Sequence, residues 1–206
     1  MGELVVRRRE FSIEEPWRVP DGVTPVPFVR ATDGNAPRLA TQLAVYRNAM
    51  HLNILFLGDD DAIVATHRDH DAPLYEEDVV EAFLAPADPR TYFELEVNPL
   101  GTTFDARIDS PDGVRQSMTA DLAWTCDGLF AALLRDTRNG AMTFATLLRI
   151  PFASLGAIPA DGDVWRANFF RIDRHPLGDE YSAWQPTLKT PADFHVAAAF
   201  GTLRFE

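Results

Sequence analysis

Pro73–Asn98, PLYEEDVVEAFLAPADPRTYFELEVN, is the stretch whose reading decides the fold. Successive side chains of a strand point to opposite faces, so Val80, Ala82 and Leu84 share one side while Val79, Glu81 and Phe83 share the other. Downstream, Phe93, Leu95 and Val97 alternate with Tyr92, Glu94, Glu96 and Asn98. Between the two runs, Ala85–Arg90 holds Pro86, Asp88 and Pro89, residues that suit a hairpin connection slightly longer than the tightest kind. The pattern predicts an antiparallel hairpin with an apolar back and an acidic, outward-facing front, which is half of a β-sandwich.

The same rhythm extends in both directions. Phe104, Ala106 and Ile108 alternate with Asp105, Arg107 and Asp109 before a Pro-Asp-Gly turn, and a neighbouring strand here adds Asp105 and Arg107 to a polar surface with Glu81, Glu94, Glu96 and Asn98. Upstream, Leu39, Leu43 and Val45 precede a break at Arg47 and Asn48, followed by Met50, Leu52, Ile54 and Phe56: a second hairpin. Residues 3–9 read as a first strand and the proline-rich 11–28 as an extended surface segment with Trp17 as a packing residue. Further strands are expected around Ile63–Thr66, in a hairpin turning at Asp127 and Gly128, over 143–151 with one helical turn at Phe152–Leu155, over Trp165–Asp173, and in the closing 197–206. A long loop, 174–195, carries Tyr181, Trp184, Phe194 and His195. About ten or more short strands without an internal repeat point to an all-β, antiparallel β-sandwich or jelly roll, and 206 residues suit one domain over 1–206.

A net charge of −12 argues against nucleic acid or an anionic membrane as partner and favours a neutral or cationic ligand. No apolar run approaches the ~20 residues that span a bilayer. The opening MGELVVRRRE has no apolar segment behind its arginines, so no signal peptide is read and a cytoplasmic location is the default expectation. The single cysteine, Cys126, excludes an intrachain disulfide and a cysteine zinc cluster. Nucleotide and hydrolase signatures are absent, which leaves carboxylate pairs as the enzymatic option: Glu94 and Glu96, two apart on one strand face, would sit at the ~5–7 Å separation a glycoside hydrolase uses.

Two kinds of site remain. His67 and His70 fall on a loop, where a spacing of three does not place both rings on one side; carboxylates on irregular loops suit calcium better, and Asp60, Asp61 and Asp78 are the expected ligands if these residues are more than a solvated acidic surface. Sugars are gripped by flat aromatic rings with polar groups at their hydroxyls, and Tyr75, Tyr181, Trp184 and Phe194 lie near strand ends.

The order of LYEEDVVEAFLAP, YFELEVNPLG, IPFASLG, DVWRANFFRID, EYSAWQPT and DFHVAAAFGTLRF resembles the family 9 carbohydrate-binding modules and their relatives in the DOMON-like superfamily, from about Leu39 to Phe205. The resemblance implies a non-catalytic β-sandwich that holds the end of a glucan, a xylan or a small sugar between two aromatic side chains, with structural calcium in some members. It makes Tyr75 the first aromatic, Phe194 or Trp184 the second, and Glu81 and Asn98 the groups that bond hydroxyls. Glu96 stands where the family has a sugar-binding arginine, so that contact is lost or comes from Arg107 or Arg171. Other members of the superfamily bind haem through Met and His, which makes an electron-transfer domain using Met50, Met118 or Met142 with His51 or His195 the alternative.

Overall fold

A computed structural model describes residues 2–138 and 141–206. The upstream hairpin is β4 (Thr41–Arg47) and β5 (His51–Asp60), closed where Asn48 Oδ1 accepts from the Met50 and His51 amides at 2.9 and 2.8 Å. β11 (Ala141–Pro151) pairs with β5, and β10 (Phe130–Arg138) with β11. These four strands, with the short β2 (Val26–Pro27) on β4, make one sheet.

The other sheet contains the hairpin of residues 73–98. β6 (Val79–Ala85) and β7 (Thr91–Val97) pair antiparallel, followed outward by β8 (Thr103–Asp109) and β9 (Thr119–Asp121). On its other side β6 pairs with β12 (Val164–Asp173), whose first residues pair with β14 (Gly201–Phe205) and whose last pair with β13 (Glu180–Ala183), next to β3 (Val29–Arg30). The seam between the sheets is β1 (Glu3–Arg8): Glu3–Val6 runs parallel to β14, and Arg7–Arg8 parallel to β4. The architecture is the expected sandwich, but it is mixed at this seam rather than antiparallel throughout.

Leu43, Ile54, Phe56, Val80, Leu84, Leu95, Leu148, Trp165, Phe169 and Phe205 fill the space between the sheets. Trp184 belongs to this core. Only 6% exposed, it lies 5.8 Å from Phe169, and its indole occupies the space a Cβ on Gly201 would need, 2.3 Å from Cη2; glycine there lets the closing strand pass under the ring. Trp184 is therefore a packing residue and not the second sugar platform that the resemblance allowed.

Two sequence expectations fail on register and path. Glu96 pairs with Phe104 and Glu94 with Ala106, so Phe104, Ala106 and Ile108 share the carboxylates' face while Asp105 and Arg107 turn to the opposite one. Alternation names two faces for each strand, but not the slip between neighbours that decides which faces coincide. The expected hairpin at Asp127–Gly128 is instead a crossing: residues 122–129 lead from β9 at the edge of one sheet to β10 at the edge of the other, with Trp124 packed 4.7 Å from Phe93 and Cys126 buried. Residues 63–66 form no strand; they are held by acids, with Asp78 accepting from the Val64 amide and Glu77 from the amides of Thr66 and His67.

Candidate functional site

The front of the hairpin is not open to solvent. A single 3-10 turn at Leu74–Glu76 and the segment 192–200 fold over it, and Leu74, Phe194 and Phe200 join Val79, Phe83, Tyr92, Phe104, Ile108, Phe170 and Ile172 in a second apolar layer. Within that cover a cavity of about 520 Å³ remains. Phe194, stacked on Phe170 at 4.1 Å and edge-on to Tyr181 at 6.1 Å, forms one wall. Tyr75 stands at the rim, 51% exposed. Arg115 and Arg174 also reach the cavity: Arg115 pairs with Asp193 at 3.2 Å, and Arg174 lies over the Tyr181 ring, donates to its hydroxyl at 2.7 Å and to the Tyr75 backbone carbonyl, and thereby fixes the Tyr181 ring and the backbone that carries Tyr75.

Glu81 and Glu94 form the floor, with Glu96 wholly buried beside them. Glu81 faces Glu96 across the β6–β7 ladder, and one oxygen of each of the three lies within 4.8 Å of those of the other two. Burial pushes all three carboxyls up, helped by their mutual repulsion at Glu81 and Glu96, and Glu94 reaches about 7. Neither Glu96 oxygen meets an N–H or hydroxyl donor, and its hydrogen bond is a proton shared with Glu94. His195 closes this end: its Nδ1 and the Tyr92 hydroxyl are 2.7 Å apart, and its Nε2 lies 3.9 Å from Glu94. Burial, reinforced by Arg115 and opposed by Asp193, holds this imidazole down at about 4, which keeps it neutral at pH 7.

Of the residues expected at a ligand site, the structure brings Tyr75, Glu81 and Phe194 to one cavity and places Glu96 behind its floor. Asn98 is elsewhere: its Oδ1 accepts from the Leu100 and Thr102 amides at 2.9 and 3.0 Å and its Nδ2 donates to the His67 carbonyl at 2.9 Å, so it organises the β7–β8 turn. Arg107 is exposed on the opposite face. Arg171 lies between the sheets, bonded to Thr41, the Asp59 carbonyl and Asp173. The guanidinium groups at the cavity are Arg115 and Arg174. Both come from outside the strand pattern, and alternation carries no signal for where such residues go.

The expected calcium ligands do not form one set. Asp60 and Asp61 group with Asp173, and the guanidiniums of Arg38 and Arg171 stand among them, supplying the positive charge an ion would bring. Asp78 lies outside this group, with its two oxygens accepting from the amides of Val64 and Arg174. Two of the three expected ligands thus sit in an arginine-paired cluster, and the third holds backbone amides. His67 and His70 likewise face different partners, Glu76 and the Asp71–Asp105 pair. Among the haem candidates, Met118 and His195 line the same cavity, whereas Met50 is exposed and His51 is bonded to Arg149.

The sequence pattern of carbohydrate-binding family 9 matches residues 29–205. This chain belongs to carbohydrate-binding family 9. As a family 9 module it is a non-catalytic carbohydrate-binding domain, which answers the glycoside-hydrolase alternative. A family 9 module of Caldicellulosiruptor kristjanssonii, solved with glucose and with cellotriose, superposes with TM-scores of 0.68 and 0.66 at 13% identity, covering 100% of this chain and 96% and 94% of that one. A solved protein of Bacteroides uniformis covers 99% of both chains with a TM-score of 0.71 at 17% identity. At such identities the likeness is one of fold. An extracellular protein of Arthroderma benhamiae is 30% identical over 142 residues, 64% of this chain and 62% of its own length, so the chain spans less than two thirds of that relative.

Proposed function

We propose that this module binds the end of a neutral sugar chain, a glucan, a xylan or a short oligosaccharide, in the cavity between Tyr75, Tyr181 and Phe194. The observation that carries the reading is the composition of that cavity: three aromatic side chains around buried Glu81 and Glu94, in about 520 Å³, inside the ~300–1,000 Å³ range of small-ligand sites. Ring faces cover the C–H side of a pyranose, and a carboxyl group bonds two adjacent hydroxyls. Arg174 holds the Tyr181 ring in place before a ligand arrives, which lowers the ordering cost of binding. The family 9 module of C. kristjanssonii, which shares this fold, holds glucose and cellotriose, and these are the first ligands to try.

Calorimetric titration with glucose, cellotriose and xylobiose tests the reading. Tyr75 is exposed and its ring belongs to no core cluster, so Tyr75→Ala is expected to fold normally and to bind about tenfold or more weakly, the loss of one stacking face worth roughly 1.4 kcal/mol. Affinity unchanged in Tyr75→Ala would place the ligand elsewhere.

A further inference from the structure

The floor of the cavity holds more negative charge than a sugar requires. Glu81, Glu94 and Glu96 lie side by side on the rigid β6–β7 pair, and among the described residues no arginine or lysine comes within 4.0 Å of any of them. Glu96 is wholly buried, and apart from the proton it shares with Glu94 neither of its oxygens meets a donor, while both face the other two acids. A buried acid in this position is normally paired, or answered by a metal. We propose that Glu81, Glu94 and Glu96 bind a hard divalent cation, calcium by size, on the cavity floor.

Three arguments converge on that ion. The donor set is all oxygen, which selects calcium-like cations over zinc or copper. Among the described residues no histidine nitrogen falls within the 4.8 Å grouping that the three carboxylates form, so none completes a softer set. One oxygen from each acid lies within 4.8 Å of the others, the span across an ion that sits ~2.4 Å from each, within calcium's ~2.3–2.6 Å range. The contrast with Asp60, Asp61 and Asp173 is direct: there Arg38 and Arg171 make ion pairs with the acids, whereas here Arg115 and Arg174 stand at the cavity wall and, among the described residues, neither comes within 4.0 Å of the three glutamates. Glu81 and Glu94 line the cavity, so an ion they hold would turn its open coordination positions toward a ligand.

The test is calcium titration of the full chain after chelator treatment, by calorimetry and thermal melting, with no sugar present. The expected result is one calcium-dependent event with a midpoint below ~1 mM and a raised melting temperature. In Glu96→Gln, of the same size, that event should be lost or weakened at least tenfold, while Asp61→Asn at the arginine-filled cluster leaves it in place. Glu94→Gln gives the same readout if Glu96→Gln does not fold. Wild-type protein without a calcium response up to roughly 10 mM, a response unchanged in the glutamine variants, or one abolished by Asp61→Asn overturns the proposal. Because the ion is read without sugar, the two readings fail separately: sugar affinity that persists in chelator with no calcium response removes the cation and keeps the sugar site.

Discussion

His195 shows how one side chain sets the chemistry at the end of the cavity. It is packed 5.1 Å from the Phe83 ring, held to the Tyr92 hydroxyl, and faced by Glu94, Arg115 and Asp193. Its pKa falls from the ordinary 6.5 to about 4 on folding, mainly through burial. Between those values the unfolded chain takes up a proton that the folded chain refuses, so this stabilisation is fully present above pH 6.5 and is lost as pH drops toward 4. By pH 5 the loss is on the order of 2 kcal/mol. Urea unfolding at pH 7 and pH 5 should therefore show wild type losing about that much more stability than His195→Gln; equal losses would mean that the imidazole does not titrate as its surroundings demand. Glu96 makes the complementary point at the same scale. A glutamate on an alternating strand reads as a solvated residue, and only the segments folded over it make it a buried acid.

At the level of elements, β6 and β7 were legible because both obey the period-two rule over seven residues, with turn residues between them. The same rule could not supply the β7–β8 register, and the misplacement of Asp105 and Arg107 follows from that single missing datum. The turn joining these strands also explains Asn98, which the family resemblance assigned to sugar hydroxyls. Its amide is consumed by Leu100, Thr102 and His67 in a buried position, bonds that fix the His67 loop against the sheet. Asn98→Ala should cost roughly 2 kcal/mol or more of unfolding free energy, since it strands buried backbone groups, and leave sugar affinity within a few-fold. Intact stability with abolished sugar binding would return Asn98 to the ligand. The cavity itself was half readable: Glu81 lies on a strand and Tyr75 and Phe194 come from the family resemblance, whereas Arg115, on the connection after β8, and Arg174, one residue past β12, are placed by tertiary packing.

On the scale of the whole molecule, the two sheets are joined by one six-residue strand. β1 lends Glu3–Val6 to the sheet that bears the cavity and Arg7–Arg8 to the other, with Leu4 and Val6 in the shared core. Removing residues 2–8 would leave the edge of β14 and the Tyr46–Arg47 end of β4, beyond its pairing with β2, unpaired, each a template for another chain. Such a truncated chain is expected to melt lower and to self-associate, measured by light scattering on a sizing column; a monomer with the wild-type melting temperature would show that the seam is dispensable.

That seam also sets a clock. Because β1 aligns with β14, residues from opposite ends of the chain must meet before the sandwich closes, whereas the β4–β5, β6–β7 and β10–β11 pairs each form from neighbours in sequence. Contacts of such long sequence separation slow the search for the native state, so the hairpins have time to assemble while the seam is still open. On a ribosome the joint waits for the last strand to emerge, and until then the molecule is two half-built sheets without a common edge.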